Sequence, residues 1–380
     1  MKYSFTRDND WLLIITTLLL CIFGLVMVYS ASYVWAFDHG NSFSHFFLRQ
    51  LMWFVLTLLI FFVVMHFPYK YYRKFSVAII FVSIIALLLV HVPGLGAEVY
   101  GAKRWIRIGP LTIQPSEFVK VGIIIYLAHV YSKKQSYIND FVKGVMPPLV
   151  IVGIVFSLIM LQPDLGTATS ILLVTGLLVF FSGAKMRHLI GLGTVGGTIF
   201  IILATSQEYR LQRLTSFLDP FAYASETGYQ LVQSYIAIAH GGLTGAGLGQ
   251  SIQKLLYLPE PHTDFILAII AEELGIFGVG FVFLCFSIIF FRGVMIGTRC
   301  KSVFGSLLAF GIVFQVGVQV IFNVGAVTGL LPITGIPLPF LSYGGSSLMV
   351  SLLSIAILAN ISKYNIRQRH AANEEQTVSA

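Results

Sequence analysis

YLPEPHTDFILAIIAEELG, residues 257–275, joins two kinds of chemistry. Its first half is a proline-bounded polar turn, Leu258-Pro259-Glu260-Pro261-His262-Thr263-Asp264, and its second half opens an apolar run that continues to Phe291. Such a run is long enough to cross about 30 Å of hydrocarbon as a helix. Thr263 is placed as the N-cap of a helix starting at Asp264, and Pro259 and Pro261 stiffen the approach to it. A carboxylate favoured by the helix macrodipole accounts for Asp264 without any function. The rest of the chain decides between that and chemistry.

Outside this stretch the chain is apolar almost throughout. Its 380 residues are 57% hydrophobic and only 11% charged, where soluble domains carry about a quarter charged residues. Apolar runs recur at residues 11–31, 46–66, 75–92, 113–131, 145–161, 167–183, 186–204, 264–291, 303–327 and 343–361. Unbroken runs exclude the alternating pattern of barrel strands, so the expected fold is an all-α polytopic integral membrane protein of about ten transmembrane helices. Residues 1–362 form one domain, and the polar residues 363–380 are expected to be a disordered cytoplasmic tail. Of the 24 Lys and Arg residues, all but Arg49, Lys103, Arg104, Arg107, Arg210, Arg213, Lys254 and the intraspan Lys120 fall on one side of this ladder. That bias puts both termini in the cytoplasm. The net charge of +8 is therefore an orientation signal and does not indicate nucleic-acid binding. Asp8 and Asp10 spoil a basic leader, so the first run reads as an uncleaved helix. Cys21, Cys285 and Cys300 are not placed for an outer disulfide, and no Cys/His spacing suits structural zinc.

The dense polar motifs fall on the outer side. In the loop of residues 92–114, Lys103, Arg104 and Arg107 surround Trp105; an interfacial anchor explains them, as does a clamp for an anionic headgroup. Glu117 and Lys120, three apart at the start of the fourth span, can form an ion pair that either joins helices or serves a wet cavity. Asp164 lies in the turn Gln162 to Thr167, where capping the sixth helix accounts for it equally well. The one long loop, residues 205–263, separates the seventh and eighth spans. It holds Arg210 and Arg213, an apolar stretch from Gly228 to His240 that suits a short non-spanning helix, and the glycine-rich Gly241 to Gly249, read as a mobile lid or hinge. Gly329 to Ser347 is irregular, apolar and rich in Pro and Gly, suited to walling an isoprenoid or acyl chain or to packing between helices. Glu272 and Glu273, inside the eighth span, read as structural.

Taken together, Gly24 to Ser32, Arg104-Trp105-Ile106, Gln114 to Phe118, Gln162 to Thr167, Gln253 to Gly275 and Gly329 to Ser347 carry a resemblance. The chain resembles the SEDS family (shape, elongation, division and sporulation), most closely its FtsW and SpoVE branch. The resemblance implies ten helices and a peptidoglycan glycosyltransferase that polymerises lipid II, the undecaprenyl-pyrophosphate-linked precursor, on the outer face of the bacterial cytoplasmic membrane. It implies a class B penicillin-binding protein as transpeptidase partner, further division or sporulation proteins, and a place at the septum. It maps the essential carboxylate onto Asp264, treats the Trp105 loop, Glu117, Lys120 and Asp164 as sensitive, and leaves His262 among the substrate-binding candidates.

The residues can do that chemistry. Joining an α-linked sugar pyrophosphate to a hydroxyl as a β-linkage inverts the anomeric centre. This needs a base for the acceptor and positive charge for the leaving group. Asp264 is the candidate base on the GlcNAc 4-hydroxyl, with Lys103, Arg104, Arg107, Arg210 and Arg213 as candidates to hold pyrophosphate. A divalent cation could share that task, although no ligand cluster calls for one. A lipid II flippase and a non-catalytic scaffold recruiting a transpeptidase are the rival readings. The first draws on Glu117 and Lys120 inside a span, but the motifs cluster at one face only.

Overall fold

A computed structural model describes residues 9–99, 102–109 and 111–378. The described residues are helical apart from one small sheet and irregular segments, the longest being 242–265 and 328–344. The helices are α1 (Trp11–Asp38), α2 (His45–His66), α3 (Lys70–Leu89), α4 (Pro115–Lys133), α5 (Met146–Met160), α6 (Leu165–Phe181), α7 (Met186–Thr205), α8 (Glu208–Leu218), α9 (Tyr229–Gly241), α10 (Ile266–Arg299), α11 (Val303–Val327) and α12 (Gly345–Val378). Eight membrane-length apolar helices occur among the described residues, counting α5 together with the π-helical turn Phe141–Val145 that leads into it, with α6 as a shorter apolar helix. The nineteen-residue α4, which carries Glu117 and Lys120, occupies the remaining expected span.

α11 and α12 form the centre: 78% and 83% of their most apolar windows are buried, against 22% for α3 and 11% for α7. α10, α4 and α6 pack on α11, while α2 packs on α12 and α1 on α10. The outward faces stay apolar, with Phe75, Val77, Phe81 and Val82 of α3 exposed. Lipid satisfies such a surface, whereas water would not.

Four features depart from the sequence expectations. Residues between the third and fourth spans, read as a loop, form an antiparallel sheet of β1 (Gly96–Val99), β2 (Ala102–Ile108) and β3 (Leu111–Ile113), in that spatial order. The β-branched and aromatic residues of β2 favour this. The last helix continues to Val378 where a disordered tail was expected from residue 363. Its beginning is packed: Asn365 Nδ2 donates to the Ile296 carbonyl at 3.0 Å and the Tyr364 ring meets Tyr69. Thr263 does not cap α10; the cap position is Phe265, and the Thr263 hydroxyl donates to the Glu260 carbonyl at 2.9 Å.

The fourth departure is the largest. The expected continuous eighth span is broken at Gly275, where φ is 60° and ψ −151°. Only glycine adopts this conformation without strain, and a Cβ there would lie 2.5 Å from both the Leu243 carbonyl oxygen and the Gly245 nitrogen. Glycine inside an apolar run is tolerated in a helix, so the sequence pattern conceals the break. The backbone groups freed by it are satisfied by the glycine-rich segment: Ala246 N–H and Gly247 N–H donate to the carbonyls of Glu272 and Glu273, and Ile276 N–H donates to Leu243. This segment, read as a mobile lid, is therefore a fixed cap on a half-helix of residues 266–274.

Beneath the cap lies a charged network whose Lys254, Glu272 and Glu273 side chains are fully buried. Lys254 Nζ is 2.6 Å from Glu273 Oε1, and both side chains are fully buried. Ser30 Oγ of α1 sits 2.7 and 2.8 Å from the two Glu273 oxygens and accepts from Lys254 Nζ at 3.1 Å. The Tyr33 ring covers the ammonium at 5.0 Å. Glu272 accepts from the Ser251 hydroxyl, from Ile252 N–H at 2.9 Å and from Gln253 N–H, and lies 3.0 Å from His240 Nδ1. Both glutamates are structural in this sense. Removing one partner of a buried pair strands the other charge, at a cost of about 3–5 kcal/mol. Lys254→Met should accordingly lower the thermal unfolding midpoint of the detergent-solubilised protein sharply, and Lys254→Met/Glu273→Leu should recover most of the loss. A double variant no more stable than the single one would show that charge pairing is not what holds this joint.

Candidate functional site

A cavity of about 540 Å³ opens among α6, α7, α8, the 162–165 turn and residues 331–335. Its polar end is built from three elements that the sequence keeps far apart. β2 bulges at Arg104, the extra residue between the pairs Ala97–Trp105 and Glu98–Lys103, and Arg104 lines the cavity while Lys103, Trp105 and Arg107 do not. Lys103 and Arg107 are exposed and Trp105 pairs across the sheet with Ala97. Arg104 ties the sheet to the turn, donating from Nε to the Gln162 carbonyl at 2.9 Å and from Nη2 to that of Pro163 at 2.5 Å. Asp164, on the same cavity wall, caps α6 by accepting from Thr167 N–H at 3.0 Å.

The third element is α8, where Arg210 and Arg213, three residues apart, both reach the cavity. Arg210 donates from Nη1 to Leu203 in the last turn of α7 at 2.9 Å and from Nε to the Tyr209 hydroxyl at 2.8 Å. Arg213 stays exposed, with one 3.5 Å contact to the Ile333 carbonyl. The body of the cavity is apolar, with Phe156, Leu172, Phe200, Phe322 and Leu331 facing the glycine stripe Gly193, Gly196 and Gly197 of α7. One end suits anionic oxygens and the other a hydrocarbon chain.

Asp264 does not line the cavity; it abuts Gly335, which does. Gly335 has φ +68°, and a Cβ built on it would stand 4.0 Å from Asp264 Oδ2. A residue without a side chain therefore separates carboxylate from cavity. The Thr263 hydroxyl also lies 3.0 Å from Asp264 Oδ1, so its one proton is shared between this carboxylate and the Glu260 carbonyl. Asn323 of α11 holds the backbone, its Nδ2 bridging the carbonyls of Asp264 at 2.7 Å and Ile336 at 2.9 Å. Burial pushes the Asp264 carboxyl above the usual range, opposed by the Thr263 hydroxyl and by the Arg213 charge. The group is thus moved toward the range useful to a base.

Two further candidates lie elsewhere. Glu117 and Lys120 form a buried ion pair at 2.8 Å within α4, outside the cavity lining. His262 is packed against Phe46 and Tyr343, with ring centroids 4.4 and 5.4 Å away. Burial, with a smaller contribution from His39, pushes its pKa down to about 3, so it is neutral. Its carbonyl accepts from Tyr343 N–H at 2.8 Å, which anchors the turn before Asp264. Sequence reasoning passed over Asn323, Gly335 and Tyr209. For Asn323 a signal existed: Gln315, Gln319 and Asn323 recur four apart, a polar stripe on an otherwise apolar helix. Among the described residues, no three His, Cys, Asp or Glu side chains could hold a metal ion.

Residues 10–367 match the family model FTSW_RODA_SPOVE, described as cell cycle protein. The chain is 47% identical over 376 residues to the probable peptidoglycan glycosyltransferase FtsW of Bacillus subtilis (strain 168), covering 96% of this chain and 93% of that one. It is 44% identical over 357 residues to the stage V sporulation protein E of the same organism, covering 94% and 97%. Among solved structures, it superposes on a chain of a peptidoglycan synthase complex that coordinates polymerization and crosslinking, with a TM-score of 0.79, 26% identity and coverage of 94% and 98%. The rod shape determining protein RodA of Thermus thermophilus matches with a TM-score of 0.69, 26% identity and coverage of 93% and 96%.

The bridge through Asn323 can be tested without any activity. Asn323→Leu strands two carbonyls, each unmet group costing about 1–3 kcal/mol. Amide exchange across residues 262–266 and 334–338 should accelerate while residues 276–299 stay protected; unchanged exchange at both carbonyl-bearing segments would remove Asn323 from its positioning role.

Proposed function

The chain belongs to the FtsW, RodA and SpoVE family of cell cycle proteins and is a multi-pass membrane peptidoglycan glycosyltransferase; we propose that it polymerises lipid II with Asp264 as general base. The observation that carries this reading is the cavity with a cationic end and an apolar body, with Asp264 beside it across Gly335. A polyprenyl pyrophosphate has those two ends. Arg104, Arg210 and Arg213 would hold the pyrophosphate as negative charge develops on the leaving group, and the apolar body would take the first isoprene units. Lys103 and Arg107, exposed on β2 outside the cavity lining, are left as headgroup contacts.

The acceptor 4-hydroxyl, placed between Asp264 and the anomeric carbon, loses its proton to the carboxylate as the new bond forms and pyrophosphate departs from the opposite face. One displacement gives inversion. A divalent cation would act on the substrate's own phosphates beside the arginines, and the same assay run with and without chelator measures its share. A class B penicillin-binding protein as the crosslinking partner, and the division septum as the site of action, complete the proposal. The likeness to a chain of a synthase complex supports the former.

Purified protein supplied with labelled lipid II, with and without the transpeptidase, tests the reading. Glycan strands without another glycosyltransferase support it, whereas transbilayer movement alone favours a flippase. Asp264→Asn should retain folding and partner binding and lose about 10²–10⁴ in polymerisation rate; near wild-type rates would exclude the base. Because the carboxylate is the active form, polymerisation should fall as pH drops through the raised Asp264 pKa. Arg213 lowers that pKa, so Arg213→Gln should slow the reaction and also move the acid limb to higher pH. An unmoved limb would separate Arg213 from Asp264.

A further inference from the structure

At the opposite ends of α4 and α11 from Glu117 and Asn323 lies a second concavity of about 720 Å³. Lys70, Arg73 and Lys74, at i, i+3 and i+4 of α3, face His129 and Lys133, at i and i+4 of α4, across it. Ser302, the cap residue of α11, and the buried Phe304 close the remaining side. No carboxylate lines it among the described residues. The described ion pairs leave Lys70, Arg73, Lys74 and Lys133 without an acidic partner. Lys70 and Lys74 rest over the Tyr364 and Tyr71 rings at 5.4 and 5.3 Å.

Excess cations on one membrane face need only the orientation rule to explain them, and dispersed cations would satisfy that rule equally well. Convergence around one bowl is different, since four like charges repel unless an anion joins them. The floor is also held in place: Ser76, fully buried on α3, donates to the Arg73 carbonyl at 3.1 Å and contacts His129 Nδ1, locking α3 to α4. α3 then continues the line of Lys70 and Lys74, in steps of three and four, with the exposed Val77, Phe81, Ile85 and Leu88 on the bundle exterior, where acyl chains lie. We propose that this bowl is a binding site for the phosphate of an anionic phospholipid headgroup, with the acyl chains running along the outer face of α3. A free phosphate would use the same cations but not the apolar track, so the track favours lipid. The site is separate from the cavity beside Asp264.

The test uses the full chain in detergent. Native mass spectrometry counts phosphatidylglycerol retained against an equal amount of phosphatidylcholine. Wild type should hold phosphatidylglycerol preferentially, and Arg73→Gln/Lys133→Gln should weaken retention by about tenfold or more. Lys143→Gln/Lys185→Gln/Arg187→Gln, which removes cations elsewhere on the face carrying most of them, should leave it unchanged. Glycan polymerisation by the double variant reports that it is folded. Equal loss in both variants would mean diffuse charge only, and no preference in wild type would mean no site. Displacement of the lipid by millimolar inorganic phosphate would reassign the bowl to a soluble anion. Each of these three results overturns the proposal.

Discussion

The buried pair of Lys254 and Glu273 is the joint on which the site depends. Isolating two full charges from water costs several kcal/mol per ion, and only close geometry with further hydrogen bonds offsets it. Here Ser30 supplies the further bonds and Tyr33 covers the ammonium, so α1 is drawn into the joint as well. Glu272 gathers the amides of residues 252 and 253 directly alongside. The turn that carries Asp264 therefore leaves one fixed point at Lys254 and enters another at the half-helix of residues 266–274. Leu258 N–H bonds back to Gln253 at 2.8 Å, and Asn323 pins the far end. A carboxylate raised by burial can keep a defined direction only if its backbone is held in this way.

The cations divide by geometry more than by number. On β2 the bulge sets Arg104 apart from its neighbours, and Arg104 lines the cavity while Lys103 and Arg107 do not. A helix does the reverse, bringing Arg210 and Arg213 to one side. Arg210 is bound to the end of α7 and is therefore also a strut between α7 and α8. Arg213, exposed and held by a single long contact, is the cation with freedom to follow a moving charge.

The helical class, the positions of most spans and the short α9 were legible in the sequence. Apolar length and proline bounds are local properties, visible in one stretch at a time. What escaped were relations between distant segments. The break at Gly275 exists because residues 243–247 are there to satisfy it, and no periodicity within α10 signals them. The sheet was hidden because four-residue and three-residue strands carry little pattern. His262 lies two residues before Asp264, but the turn between them sends it into an aromatic niche. The tail beyond residue 363 looked disordered by composition, yet Tyr364 and Asn365 dock its first turn.

The capped break also bears on how such a protein is assembled. Residues 241–247 precede 266–276 in the chain, so every donor and acceptor needed at the break has been synthesised by the time Ile276 emerges. The interruption can close within one hairpin, without waiting for α11 or α12. Only afterwards do Asn323 and residues 331–336 arrive to enclose Asp264. Synthesis thus closes the break before it supplies Asn323, and the last two spans, the centre of the bundle, complete the fold and the site together.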